Sequence, residues 1–103
     1  MLKTWGGRSR FEYNGRVETG TDIEFGQGNH IRVKAQQYAA LRRHFLNRVV
    51  PVGTSRTDAP AESMGAWLQA KVTPTAIASY VAPILVREGY AIRVGDHDIR
   101  IIR

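Results

Sequence analysis

The chain has 103 residues, a formal net charge of +6 and no cysteine, with 43% hydrophobic and 23% charged residues. These values fit an ordinary globular domain and argue against a disordered chain or a disulfide scaffold. No stretch approaches the ~20 apolar residues of a membrane span, and Met1 to Gly7 lacks the apolar run of a signal peptide. A cytoplasmic chain held together by packing alone, with no membrane partner, is therefore expected.

The first third reads as short strands. Phe11 and Tyr13 alternate with polar neighbours before Asn14-Gly15, the preferred pair for a two-residue hairpin turn. Arg16 to Thr19 reads as the returning strand, and Ile23-Glu24-Phe25 and His30 to Val33 alternate again on either side of Gly26-Gln27-Gly28-Asn29. The result is a meander with one apolar face and Arg8, Arg10, Arg16 and Arg32 on or near the other.

Lys34 to Asn47 has helical spacing at Ala35, Tyr38, Leu41 and Phe45. Arg42, Arg43, His44 and Arg48 gather where the helix dipole favours cations. Val49 to Val52 is a short extended piece that Pro51 confines to a sheet edge. Gly53 to Ala59 is loop-like. Ala61 to Ala70 reads as a second helix with Met64, Trp67 and Leu68 on one stripe. Thr73-Pro74 reads as the cap and first residue of a third helix, Thr75 to Glu88, with Ile77, Val81, Ile84 and Leu85 inward and Thr75, Ser79, Ala82 and Val86 outward. Pro83 lies inside that helix and predicts a kink, and Gly89 predicts a left-handed end. Tyr90 to Val94 and Ile99 to Arg103 form a terminal hairpin about Gly95 to Asp98. The fold class is thus α+β: a strand-rich extension over 1–33 packed on a three-helix and hairpin core over 34–103, in one domain.

The order helix, strand, helix, helix, strand, strand from Lys34 onward resembles the winged helix-turn-helix family. So do the segments Met64-Gly65-Ala66-Trp67-Leu68, Val72 to Val81 and Leu85 to Tyr90. The resemblance implies a scaffold helix, a tight turn, a recognition helix and a wing. It implies that Thr73, Thr75 and Ser79 lie near double-stranded DNA and that Arg93, His97 and Arg100 lie on the wing. A basic DNA-binding protein, a transcription regulator or accessory factor, is the first expectation. Yet the third helix has no Arg, Lys, Asn or Gln between Thr73 and Val86, the residue types that read base edges.

Residues 1–57 hold ten basic and four acidic groups, whereas 58–103 hold five of each. The excess charge therefore sits outside the helix-turn-helix segment. This leaves open a protein-interaction module of the same fold. In that first half, Arg8, Arg10, Arg16, Arg32, Arg42, Arg43, Arg48 and Arg56 are candidates for phosphate contact, which gives affinity more than specificity. A single-stranded nucleic-acid binder stacking bases on Trp5, Phe11 or Trp67 is a further alternative, although Trp67 fits the core stripe of its helix. Asp96-His97-Asp98 reads as a polar turn rather than a metal site. Three scattered histidines, no cysteine and no nucleophile-elbow serine select no enzymatic chemistry and no cofactor. The apolar strand Ile99 to Ile102, taken as an open edge, predicts a homodimer.

Overall fold

The strand-rich start of the chain forms a four-stranded antiparallel sheet. In the computed structural model, which describes residues 1–103, β1 (Leu2–Lys3), β2 (Arg10–Arg16), β3 (Gly20–Phe25) and β4 (Asn29–Lys34) lie side by side in sequence order. Their apolar residues fall on one face because side chains alternate along a strand. Phe11, Ile23 and Val33 are buried and Tyr13 and Ile31 half-buried.

The turn after β2 differs from the sequence expectation. Asn14-Gly15 stays inside the strand, paired with Asp22 and Thr21, and the chain reverses at Val17 to Thr19. Gly15 has φ +89°, and a Cβ there would overlap the carbonyl of Gly20, so glycine serves a close backbone approach rather than the turn. Val17 is buried, and its amide donates to the Glu88 carboxylate at 2.9 Å, which anchors the turn from a distant part of the chain.

Next comes α1 (Ala35–Phe45), which buries Tyr38, Leu41 and Phe45. Asn47, at φ 62°, then turns the chain into β5 (Val49–Pro51), and its amide donates to the Ile101 carbonyl at 2.7 Å. The second helix, α2 (Met64–Lys71), starts three residues later than expected. Ser63 caps it, its Oγ accepting the Ala66 amide at 3.1 Å, and Pro60 belongs to the preceding turn.

The third helix, α3 (Ala78–Arg87), also starts late. Thr73 and Thr75 lie in the connection before it, so neither is a helical residue. Gly89 follows with φ +83°, and the Tyr90 amide closes the end on the Leu85 carbonyl at 2.9 Å. The chain finishes in β6 (Ala91–Val94) and β7 (Asp98–Ile101).

The second sheet has the order β5-β7-β6. β7 is therefore the central strand, paired on both sides, and Ile99 and Ile101 are fully buried. This overturns the open edge from which a homodimer was expected. Pro51 does lie on an edge strand.

One continuous apolar core joins both halves, from Trp5 and Phe11 to Ile99 and Ile101. Beneath the first sheet, the Thr21 and Tyr38 hydroxyls share a buried hydrogen bond of 2.7 Å. No helix is long and apolar enough to cross a membrane.

Candidate interaction surfaces

α3 is walled in on nearly all sides. Ala78, Val81, Ala82, Ile84 and Leu85 have no exposure at all, and Ser79, Tyr80, Pro83 and Val86 are half-buried. Arg87 is its one exposed residue. β6 and α2 pack against it, and the first sheet and the segment between β1 and β2 add cover at Tyr80 and Ser79. Tyr80 stacks on Phe25, with ring centroids 4.7 Å apart, and meets Phe11 edge-on at 5.2 Å. Ala82, expected to face outward, is thus a core residue, and Val86 is largely covered.

Pro83 explains part of this cover. A proline has no N–H for the carbonyl four residues back, which in this helix belongs to Ser79. The Ser79 carbonyl instead accepts the backbone N–H of Trp5 at 2.9 Å. The helix runs unbroken through Pro83, and the carbonyl that Pro83 leaves free holds the N-terminal segment.

Trp5 itself is buried, with its indole N–H donating to the Asp96 carbonyl at 2.8 Å and the Arg93 guanidinium 4.1 Å above the ring. It is unavailable for stacking on a base, as is buried Phe11.

The other candidate residues fall into separate groups. Arg10, Arg16 and Arg32 lie on the outer face of the first sheet, and Arg8 in the turn before β2; all four are exposed. That face carries acids as well. Arg32 pairs with Asp22 at 3.1 Å and His30 with Glu24 at 3.2 Å, while Glu12 lies opposite Glu24.

Arg42 lies 4.3 Å above the Tyr90 ring and donates to the Arg103 carbonyl at 2.7 Å, so it ties the C-terminus down. Arg48 reaches Glu62 at 3.5 Å and sits over Phe45. Arg43, Arg56 and Arg100 are exposed and form no ion pair. Thr75 is exposed and Thr73 half-buried in the connection before α3, and His97 is exposed in the hairpin turn. Arg93 is spent on Trp5, donating also to its carbonyl at 3.2 Å.

Two carboxylates stitch the halves together. Glu88, just after α3, accepts the Tyr13 hydroxyl at 2.6 Å as well as the Val17 amide, and Glu18 accepts the Tyr90 hydroxyl at 2.7 Å. Burial, and then the bond to Glu88, push the Tyr13 phenol up to about 12. The bond to Glu18, followed by burial, raises that of Tyr90, and burial raises that of Tyr38. An open cleft of about 830 Å³ runs beside β2, lined by charges of both signs that include Glu12, Arg16, Arg87, Glu88 and Arg103. No group of three or more His, Cys, Asp or Glu side chains is placed to hold a metal ion.

The outer face of the second sheet is the surface that sequence reasoning missed. Register places Val49, Arg100 and Ile92 on one rung and Pro51, Asp98 and Val94 on the next. Val49 is 52% exposed, Ile92 50% and Val94 38%, and Leu46 and Ile102 beside the sheet are exposed too. Arg100 stands between two bare aliphatic side chains. The signal was present in Ala91-Ile92-Arg93-Val94, where apolar residues occupy both strand faces, as they do in a strand covered on both sides. Here only one face is covered.

No family model, curated protein or solved structure matches this chain.

Proposed function

We propose that the chain is a small protein-interaction module with a winged-helix order of elements, and that it docks its partner on the outer face of the second sheet. The observation that carries this reading is the contrast in exposure between that face and α3. Val49, Ile92 and Val94 are open to solvent on adjacent rungs, while α3 exposes Arg87 alone. A groove-reading helix has to present side chains to base edges, and a clustered apolar surface favours a protein partner. The β5-β7-β6 order with helices α1, α2 and α3 supports the winged-helix resemblance. Fold does not fix function, and the exposed face weighs more.

A photo-crosslinking residue introduced in place of Ile92, and separately in place of Asn14 on the first sheet, tests the reading in the full chain. Protein adducts are expected from Ile92 and not from Asn14. Equal adducts from both, or none from Ile92, would remove the second sheet as a docking face.

A second reading keeps nucleic acid as the partner, through phosphate contacts alone. Arg8, Arg10, Arg16, Arg43 and Arg56 are exposed without an acidic partner, and this favours it. Binding of duplex, single-stranded DNA and RNA over a salt series separates the two readings. Phosphate contact gives a log–log slope of about −0.9 per phosphate neutralised on duplex DNA. It flattens when Arg8, Arg10 and Arg16 become alanine. Duplex binding lost in Thr75→Glu and Ser79→Glu, at unchanged thermal stability, would restore the region around α3 as a DNA interface.

A further inference from the structure

Building on the docking reading above, we infer that the occupant of the second sheet's outer face is an acidic segment of another protein, with a carboxylate set among aliphatic side chains. Arg100 sits at the centre of the rung Val49–Arg100–Ile92, exposed and without an acidic partner. A guanidinium between two exposed aliphatics is matched by a carboxylate for the charge and by branched apolar groups on either side. Asp98, on the neighbouring rung, is half-buried, and its strand partner Pro51 has no charge to offer it. The segment's acid is thereby fixed at the Arg100 end and its uncharged side chains at the Val94 end.

A second copy of this chain fits less well. Two such faces could set Arg100 only against Arg100 or against the half-buried Asp98, in chains that each carry +6. Three strands at about 4.8 Å spacing also give a strip only roughly 10 Å wide. Over strands of three or four residues the patch is on the order of 100–150 Å², far below the about 800 Å² per partner of a stable protein pair, but it suits one extended or helical segment. Duplex DNA would satisfy Arg100 but leave Val49, Ile92 and Val94 against water or phosphate.

Selection of short random peptides displayed against the immobilised full chain tests this. The selection is repeated with Arg100→Glu and with Ile92→Ser, each checked for unchanged thermal stability. The wild-type chain is expected to enrich peptides with Asp or Glu beside Leu, Ile or Val. Arg100→Glu should weaken an enriched peptide about tenfold or more and should itself enrich Lys- or Arg-bearing peptides. Ile92→Ser should weaken the same peptide without changing the sign of charge selected.

Peptides lost in Ile92→Ser but without acidic excess and indifferent to Arg100→Glu would overturn the acidic chemistry while leaving the docking face standing. Peptides indifferent to both variants, or no enrichment, would sink the face as well. Self-association in sedimentation that disappears in Ile92→Ser would hand the face to a second copy and overturn the inference.

Discussion

The outward rungs of the first sheet read Glu12–Glu24–His30, Asn14–Asp22–Arg32 and Arg16–Gly20–Lys34, whereas those of the second read Val49–Arg100–Ile92 and Pro51–Asp98–Val94. Both sheets are antiparallel, and both bury their other face in the same core. The first presents charges of both signs, among them the cross-strand pairs Arg32–Asp22 and His30–Glu24, the usual state of a solvated sheet face. The second presents Val49, Ile92 and Val94 around Arg100, with the half-buried Asp98 one rung away. A surface that no folding requirement explains points to contact with something else, and the two sheets differ in whether folding already accounts for what they expose.

The largest expected effects come from breaking what the two sheets share. Trp5→Ala removes a buried ring that bridges the N-terminal segment, α3 and the hairpin turn, and should cost about 3–5 kcal/mol. Ile99→Ala beneath the second sheet and Ile23→Ala beneath the first should each cost about 2–5 kcal/mol. If both sheets belong to one cooperative body, chemical denaturation of each variant followed by tryptophan fluorescence and by circular dichroism gives one coincident transition. Separate transitions in Ile23→Ala would make the first sheet an independent layer and sharpen the contrast.

Raising the pH attacks the stitches between the halves. The phenol of Tyr13 is ordinarily at 10.0 and is pushed up to about 12, so the native state favours its protonated form. The stability it contributes is complete below pH 10 and is lost as pH rises through about 12. The raised phenols of Tyr38 and Tyr90 act in the same direction. Thermal melts across that range should fall steadily. Glu88→Gln weakens the bond to Tyr13 and should move its part of the loss to lower pH; an unmoved alkaline limb would rule Glu88 out as a cause.

A smaller, local effect is expected at Pro83. Pro83→Ala supplies an N–H that competes for the Ser79 carbonyl now held by Trp5. Exchange at the Trp5 amide should then speed up by an amount equivalent to about 1 kcal/mol, one hydrogen bond. Unchanged protection would show that the indole and Arg93 suffice to hold the segment.

The smallest effects belong to the outer faces. Ile92→Ser and Asp22→Asn should each shift stability by less than about 0.5 kcal/mol, since neither side chain supports the core. Melting curves check this. A large loss in Ile92→Ser would mean that the apolar face serves folding after all, and would erase the difference between the sheets.

Local patterns made much of the architecture legible. Alternation around Phe11, Ile23 and Val33, helical spacing at Tyr38, Leu41 and Phe45, the loop after Gly53 and the terminal hairpin all follow from side-chain periodicity and backbone preference, which act over a few residues. Local chemistry carries both later helices too far at their N-termini. Thr73-Pro74 and Pro60 have the chemistry of helix starts, but the chain begins those helices at Ser63 and Ile77, where the Ser63 hydroxyl is a better cap and Met64 and Ile77 are needed in the core. Asn14-Gly15 has the chemistry of a turn, yet Gly15 is claimed by the close approach of Gly20, and the Glu88 carboxylate fixes Val17 from across the molecule.

Composition and short-range pattern dictate the α+β class, the order of elements from Lys34 onward, the basic first half and the hydrogen bond missing at Pro83, because each depends on neighbours within a turn or two. Long-range packing sets Tyr80 of α3 against Phe11 and Phe25, puts Trp5 on the carbonyl freed by Pro83, makes β7 central rather than an edge, and brings Val49, Ile92 and Arg100 together on one open face. Those outcomes depend on which segments find each other across long stretches of chain, as Val49 does with Arg100 and Trp5 with Ser79 and Asp96. Hydrophobic burial is non-directional and leaves no local mark of its partner in the chain.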